Sequence, residues 1–241
     1  MFEKIQPQKA YTYIVNQILD LVERGDLVNG DKLPSEYVLS EKFGVSRPTM
    51  KQALSALEVL GVIETKGGKG NFVRDHLDLK SVRYRSKGLE RQISPVDLLE
   101  SRKLLEADIA ELAAVKAEPE DLRAIEDCLN QYKRAISKKI TEIDYDKVGR
   151  LDRDFHLLIA KATHNSALLQ MMRFIISGLK GEVWVNLKKK SLATPGHLER
   201  YLSEHEAILK AVRNRQNNKA REIMYQHLHD VERNLFGEGE S

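Results

Sequence analysis

Two rules of punctuation divide this chain at Ser94-Pro95. Ahead of that point, short apolar runs are closed by glycine. Ile14, Ile18, Leu21 and Val22 recur at helical spacing and stop at Gly25; Val38, Leu39 and Phe43 stop at Gly44; a run over about 47–60 stops at Gly61. Glycine ends helices because it adopts the left-handed backbone that a helix exit needs. Beyond Pro95 the apolar period stays near 3.6 to the end of the chain, the signature of amphipathic helices. Such a chain should fold as a small domain of short elements followed by an all-helical one.

The short elements come in a telling order. Ala10–Arg24 predicts a first helix, and Asn29-Gly30-Asp31 a turn. Pro34 and Ser35 precede a second short helix, with Ser35 as its cap, and Ser46 caps a third. Val62-Ile63-Glu64-Thr65 and Asn71-Phe72-Val73 are strand-like, and Lys66-Gly67-Gly68-Lys69-Gly70 joins them as a hairpin with a basic tip. Three helices, a tight turn between the second and third, and a two-stranded wing predict a winged helix-turn-helix over 1–75. Residues 76–94 are charged and interrupted by Gly88, and are expected to be a linker with one short helix. Helices are then expected at about 95–116, 119–139, 143–164, 166–189, 198–215 and 217–235, punctuated by Pro119, Asn165-Ser166, Pro195-Gly196 and Asn217-Asn218. The fold class is mostly α: a winged helix-turn-helix followed, over 95–236, by an antiparallel helical bundle.

Charge distribution agrees with a DNA-binding first domain. The net charge is only +3, yet 42–74 carries six Lys or Arg against two Glu, whereas 95–241 balances 24 basic against 24 acidic residues. Cys128 is the sole cysteine, so no intrachain disulfide can form. No signal-like start and no 18-residue apolar run is present, so a cytoplasmic protein without membrane contact is expected.

The third helix has the chemistry to meet DNA. Ser46 and Thr49 stand at its N-terminus, where free N–H groups and the helix dipole favour a phosphate. Arg47 and Lys51, four residues apart, project from one face and can reach base edges in the major groove. Lys69, at the wing tip, can meet the minor groove or a phosphate. Residue by residue, ordinary charged surface explains these side chains equally well.

In the second domain four metal-ligand types lie on apolar faces. Asp152 and His156 are one turn apart, beside Val148, Phe155 and Ile159; His205 shares a stripe with Tyr201, Ile208 and Val212; His227 shares one with Ile223, Met224 and Val231. A lone histidine on such a face is usually a satisfied core residue. Three with an Asp would be costly to bury unpaired, and a shared divalent cation would satisfy them. Spacing leaves both explanations open. Arg102 lies on an apolar stripe with Leu98, Leu105 and Ile109. His164, His197 and His229 are expected at the surface.

Several of these strings resemble known families. Gly30-Asp31-Lys32-Leu33-Pro34-Ser35-Glu36, Phe43-Gly44-Val45-Ser46-Arg47-Pro48-Thr49 and Gly68-Lys69-Gly70-Asn71-Phe72-Val73 resemble the GntR family of bacterial regulators over 10–75. The resemblance implies DNA contacts at Ser46, Arg47, Thr49, Lys51 and Gly68, and Ser35, Tyr37 and Lys69 are counted with them. Tyr37 and Lys51 stand where arginine is usual in the family, and Lys cannot make the bidentate fork of Arg. Leu99-Glu100-Ser101-Arg102-x-x-Leu105-Glu106, Asp152-x-x-Phe155-His156, Glu204-His205 and His227-Leu228 look like the FCD ligand-binding domain of the FadR subfamily over about 95–235. That resemblance implies a divalent metal held by Asp152, His156, His205 and His227; one carboxylate with three imidazoles suits zinc, with nickel, manganese or iron as alternatives. It also implies a small carboxylate effector paired with Arg102. A homodimer on a palindromic double-stranded operator, commonly released by its effector, is the expected regulator, not an enzyme. Two alternatives stand beside it: a metal-dependent enzyme acting on a small carboxylate, and a DNA-binding regulator whose metal is purely structural.

Overall fold

A computed structural model describes residues 9–89, 92–137 and 142–237. The described residues form two compact units, one lying within 1–96, 181–186 and 236–241, the other within 97–180 and 187–235.

In the first unit α1 spans Ala10–Arg24 and ends at Gly25, whose φ is 78°. It buries Tyr11, Ile14, Val15, Ile18 and Leu19 and packs on α3 and on a later helix of the same unit. The Ser35 hydroxyl accepts the Val38 N–H at 3.3 Å and opens α2 (Glu36–Phe43). Gly44, at φ 63°, turns the chain into α3 (Arg47–Val59), which buries Met50, Ala53, Leu54, Ala56 and Leu57. Strands β1 (Ile63–Lys66) and β2 (Gly70–Val73) pair antiparallel from Ile63–Val73 to Lys66–Gly70, and Lys32 adds a bridge to Phe72. Nothing lies within 4 Å of where a Cβ would sit on Gly44, so only the left-handed backbone resists a side chain there. Gly44→Ala is expected to cost about 1–2 kcal/mol, read as a fall of roughly 2–8 °C in the melting temperature. An unchanged melt would mean that the turn relaxes freely.

The segment expected to be a linker with one short helix contains α4 (Leu79–Leu89), an 11-residue helix that runs through Gly88. It is fastened within the first unit. The Tyr11 hydroxyl donates to the Leu89 carbonyl at 2.8 Å. Arg83 donates to Glu23 at 2.7 Å and also to Asp20. Arg85 Nη2 donates to the Val59 carbonyl at 2.9 Å.

The second unit is a helical bundle. It holds α5 (Pro95–Lys116), α6 (Pro119–Ile136), α7 (Tyr145–Lys161), α8 (Ser166–Gly178), the end of α9 (Glu182–Leu192), α10 (His197–Arg213) and α11 (Asn217–Phe236). Helix α6 packs on α7 and α10, and α7 on α8. Asp144 and Asn165 cap α7 and α8 by accepting backbone N–H groups. Arg215 donates to the carbonyls of Ala114, Val115 and Ala117 and so satisfies the open end of α5. The helix expected over 166–189 is two helices. Its apolar period continues through the break, but Gly178 and Gly181 flank it, and each lowers helix propensity by about 1 kcal/mol. The end expected at 139 lies outside the described residues. Among the described residues no helix is long and apolar enough to cross a membrane.

Candidate DNA-binding elements and candidate metal centre

The residues expected at DNA fall on three features of the first unit. Ser35 and Tyr37 open α2, and Tyr37 is 61% exposed. At the start of α3 the Ser46 and Thr49 hydroxyls are 2.9 Å apart, and Ser46 Oγ also accepts the Thr49 N–H at 3.4 Å. Arg47 is exposed, with Nε 3.7 Å from Glu36 Oε1. Lys51 follows one turn later and is half-buried. Gly68 (φ 69°) and Lys69 lie in the exposed wing turn, where the Lys69 N–H closes onto the Lys66 carbonyl at 2.9 Å.

In the second unit three helices deliver one imidazole each to a common point. His156 from α7, His205 from α10 and His227 from α11 place ring nitrogens within 4.8 Å of one another, all fully buried. The Nε2 atoms of His205 and His227 are 3.2 Å apart. Two nitrogens sharing one cation at about 2.0–2.1 Å would be separated by roughly 3 Å, so this spacing suits a metal as well as a hydrogen bond. Asp152, one turn before His156, touches the group through His205, with Oδ1 3.9 Å from its Nε2.

The opposite ring edges explain why these nitrogens point inward. His227 Nδ1 lies 2.6 Å from Glu204 Oε2, and Glu204 is held in turn by Arg200. His156 Nδ1 lies 2.6 Å from Glu106 Oε2, a contact close in distance but poorly aligned as a hydrogen bond. Carboxylates at the outer nitrogen are the usual means of orienting metal-bound histidines. The His205 ring stacks on Phe155, with centroids 4.2 Å apart, and meets the edge of Tyr132.

Electrostatics prepare the same chemistry. Burial above all pushes the pKa of His205 and of His227 well below the ordinary histidine value, and the neutral imidazole is the form that ligates. For Glu106, burial opposes ionisation, but Arg102 and His156 together outweigh it and lower the pKa to about 2. Burial likewise opposes ionisation of Asp152, and Lys188, His156, His205 and Arg102 overcome it. Among the described residues, buried polar atoms without a hydrogen-bond partner gather here: Asp152 Oδ1, His156 Nε2, His205 Nδ1 and Lys188 Nζ. A donor set of three imidazoles and a carboxylate suits zinc or another first-row divalent ion, so the residues fit the metal.

Arg102 on α5 is 1% exposed, and its Nε donates to Glu106 Oε1 at 2.5 Å. It therefore joins the histidine cluster through Glu106 and His156. Sequence reasoning gave Glu106 no role, although it is one helical turn from Arg102 and stands in the same string. It gave no role to Glu204, which stands in the Glu204-His205 string, and missed Lys188, hidden in a triple-lysine run that reads as solvated surface. Of the histidines expected at the surface, His164 is exposed and contacts Asp121 at 2.8 Å, while His197 is half-buried with Nδ1 3.4 Å from Ser191 Oγ. His229 is also half-buried, with Nδ1 3.8 Å from Glu232.

Comparison with known proteins agrees with this two-part architecture. Residues 10–73 match the bacterial regulatory proteins of the gntR family, and residues 97–230 match the FCD domain, some members of which bind metals. The chain is 32% identical to the Uxu operon regulator of Haemophilus influenzae, over 95% of this chain and 82% of that protein. It is 30% identical to the Uxu operon transcriptional regulator of Escherichia coli K12, covering 95% and 88%. It is 34% identical to the HTH-type transcriptional regulator LutR of Bacillus subtilis, covering 90% and 97%. The helix-turn-helix and wing in the first unit and the helical bundle in the second thus place the chain in the GntR family, as a ligand-responsive transcriptional regulator with a FadR-like FCD domain.

Proposed function

We propose that this regulator senses a small organic acid through a divalent metal, zinc by preference, and acts as a cytoplasmic homodimer on a palindromic operator. The observation that carries the sensing role is the convergence of His156, His205 and His227 beside Asp152, with carboxylates behind two of the rings. A bound cation would supply positive charge and open coordination positions for a carboxylate. Glu106 and Glu204 orient the rings, and Phe155 and Tyr132 shield His205 from water. Arg102 would share its guanidinium between Glu106 and the effector carboxylate, as charge-assisted bonds allow. On the DNA side, Ser46 and Thr49 would anchor a phosphate, Arg47 and Lys51 would read bases, and Ser35, Tyr37, Gly68 and Lys69 would flank them. Two-fold symmetry in the protein would be mirrored in the operator.

Thermal melting of the zinc-loaded chain with acetate, lactate, gluconate and citrate tests this reading. An acid at about a hundred times its Kd is expected to stabilise the fold by about 2.7 kcal/mol. Chelation should abolish that rise. Arg102→Lys, which keeps the charge but loses the fork, should weaken it. A large drop on chelation with no response to any acid would instead favour a structural metal.

A further inference from the structure

Lys188, on α9, is 5% exposed. Its Nζ lies 3.6 Å from Asp152 Oδ1 and 4.4 Å from the centre of the Tyr201 ring, and it makes no hydrogen bond to a described residue. Lysine is rarely buried without a countercharge. Here the countercharge is Asp152, the same carboxylate that the reading above assigns to the metal. A divalent ion on Asp152 would neutralise much of that carboxylate's charge and leave it a weaker countercharge for the ammonium, whose Nζ has no hydrogen-bond partner among the described residues. The neighbouring acceptors are already engaged. Tyr201 Oη accepts from Asn234 and pairs with Ser191, Glu204 is held by His227 and Arg200, and Glu106 Oε1 accepts from Arg102 while its Oε2 lies against His156 Nδ1.

We infer that Lys188 is a specificity-determining residue of the effector site: its ammonium takes a second oxygen function of the effector, a hydroxyl or a second carboxylate. The site then favours hydroxy acids and dicarboxylates over plain monocarboxylates. The inference rests on the metal-and-acid reading and adds a selectivity that the reading itself does not require. An ammonium offers three donors that can follow acids of different length, whereas a guanidinium fork matches one planar carboxylate.

Titration calorimetry of the zinc-loaded full chain tests it, with propionate, lactate and malonate as a three-carbon set and hexanoate and gluconate as a six-carbon pair. A charge-assisted hydrogen bond predicts that the wild type binds the oxygen-bearing acid about tenfold more tightly than its plain partner. In Lys188→Met the ratio should fall towards one while the zinc content stays, and Lys188→Arg should recover part of it. A ratio kept by a zinc-loaded Lys188→Met overturns the assignment. So does a wild type that binds both kinds of acid equally, a result that needs no variant to fold. A zinc-loaded wild type that binds none of the acids overturns the sensing reading, and this inference with it.

Discussion

Replacing His156 and His205 together by alanine is expected to strip the metal from the protein, from about one zinc per chain to none. The two rings come from α7 and α10 and supply two of the three convergent nitrogens. One imidazole and Asp152 would then remain, too few ligands to hold the ion. Metal binding couples to folding, so the loss should also appear in the melt. Zinc at about a hundred times its Kd contributes roughly 2.7 kcal/mol, equivalent to about 5–11 °C for a domain of this size. The metal-linked part is the rise on adding zinc, present in the wild type and absent in the double variant. A lower baseline in the variant would come from lost packing against Phe155 and from Glu106 losing His156. Elemental analysis decides the matter: a full complement of zinc in the double variant refutes the ligand set.

Arg47→Ala is expected to weaken operator binding by roughly ten- to a hundredfold, the 1–3 kcal/mol of a good base contact, while the fold stays intact. The side chain is exposed at the start of α3, and its ion pair with Glu36, at 3.7 Å, is partly solvated. A pair of that kind contributes little to stability and can be exchanged for a base edge. Gel-shift titration against the operator and an unrelated duplex separates two roles. A base-reading Arg47 loses discrimination between the duplexes, whereas a phosphate contact would weaken both alike and reduce the salt dependence. Unchanged affinity for the operator would sink the assignment altogether.

Legibility followed the range of the forces involved. Helix α1 has the bounds its pattern predicts, because its apolar stripe and Gly25 act within a few residues. The caps Ser35 and Ser46, the turn at Gly44 and the hairpin are equally local. Asp152 and His156 could be read as neighbours from their four-residue spacing alone. The break between α8 and α9 was not readable, since an unbroken apolar period masked two glycines of modest helix cost. The short helix expected within 76–94 is present as α4, but the mixed charge did not disclose that Tyr11, Arg83 and Arg85 fasten it. Periodicity marked each histidine as inward-facing, but only the packing of α7, α10 and α11 brought the three rings to one point. Only packing set Glu106 and Glu204 behind those rings, and only packing carried Lys188 out of a lysine run to Asp152. Distances along a helix follow from its fixed rise, whereas distances between helices are set by how side chains interlock across the bundle.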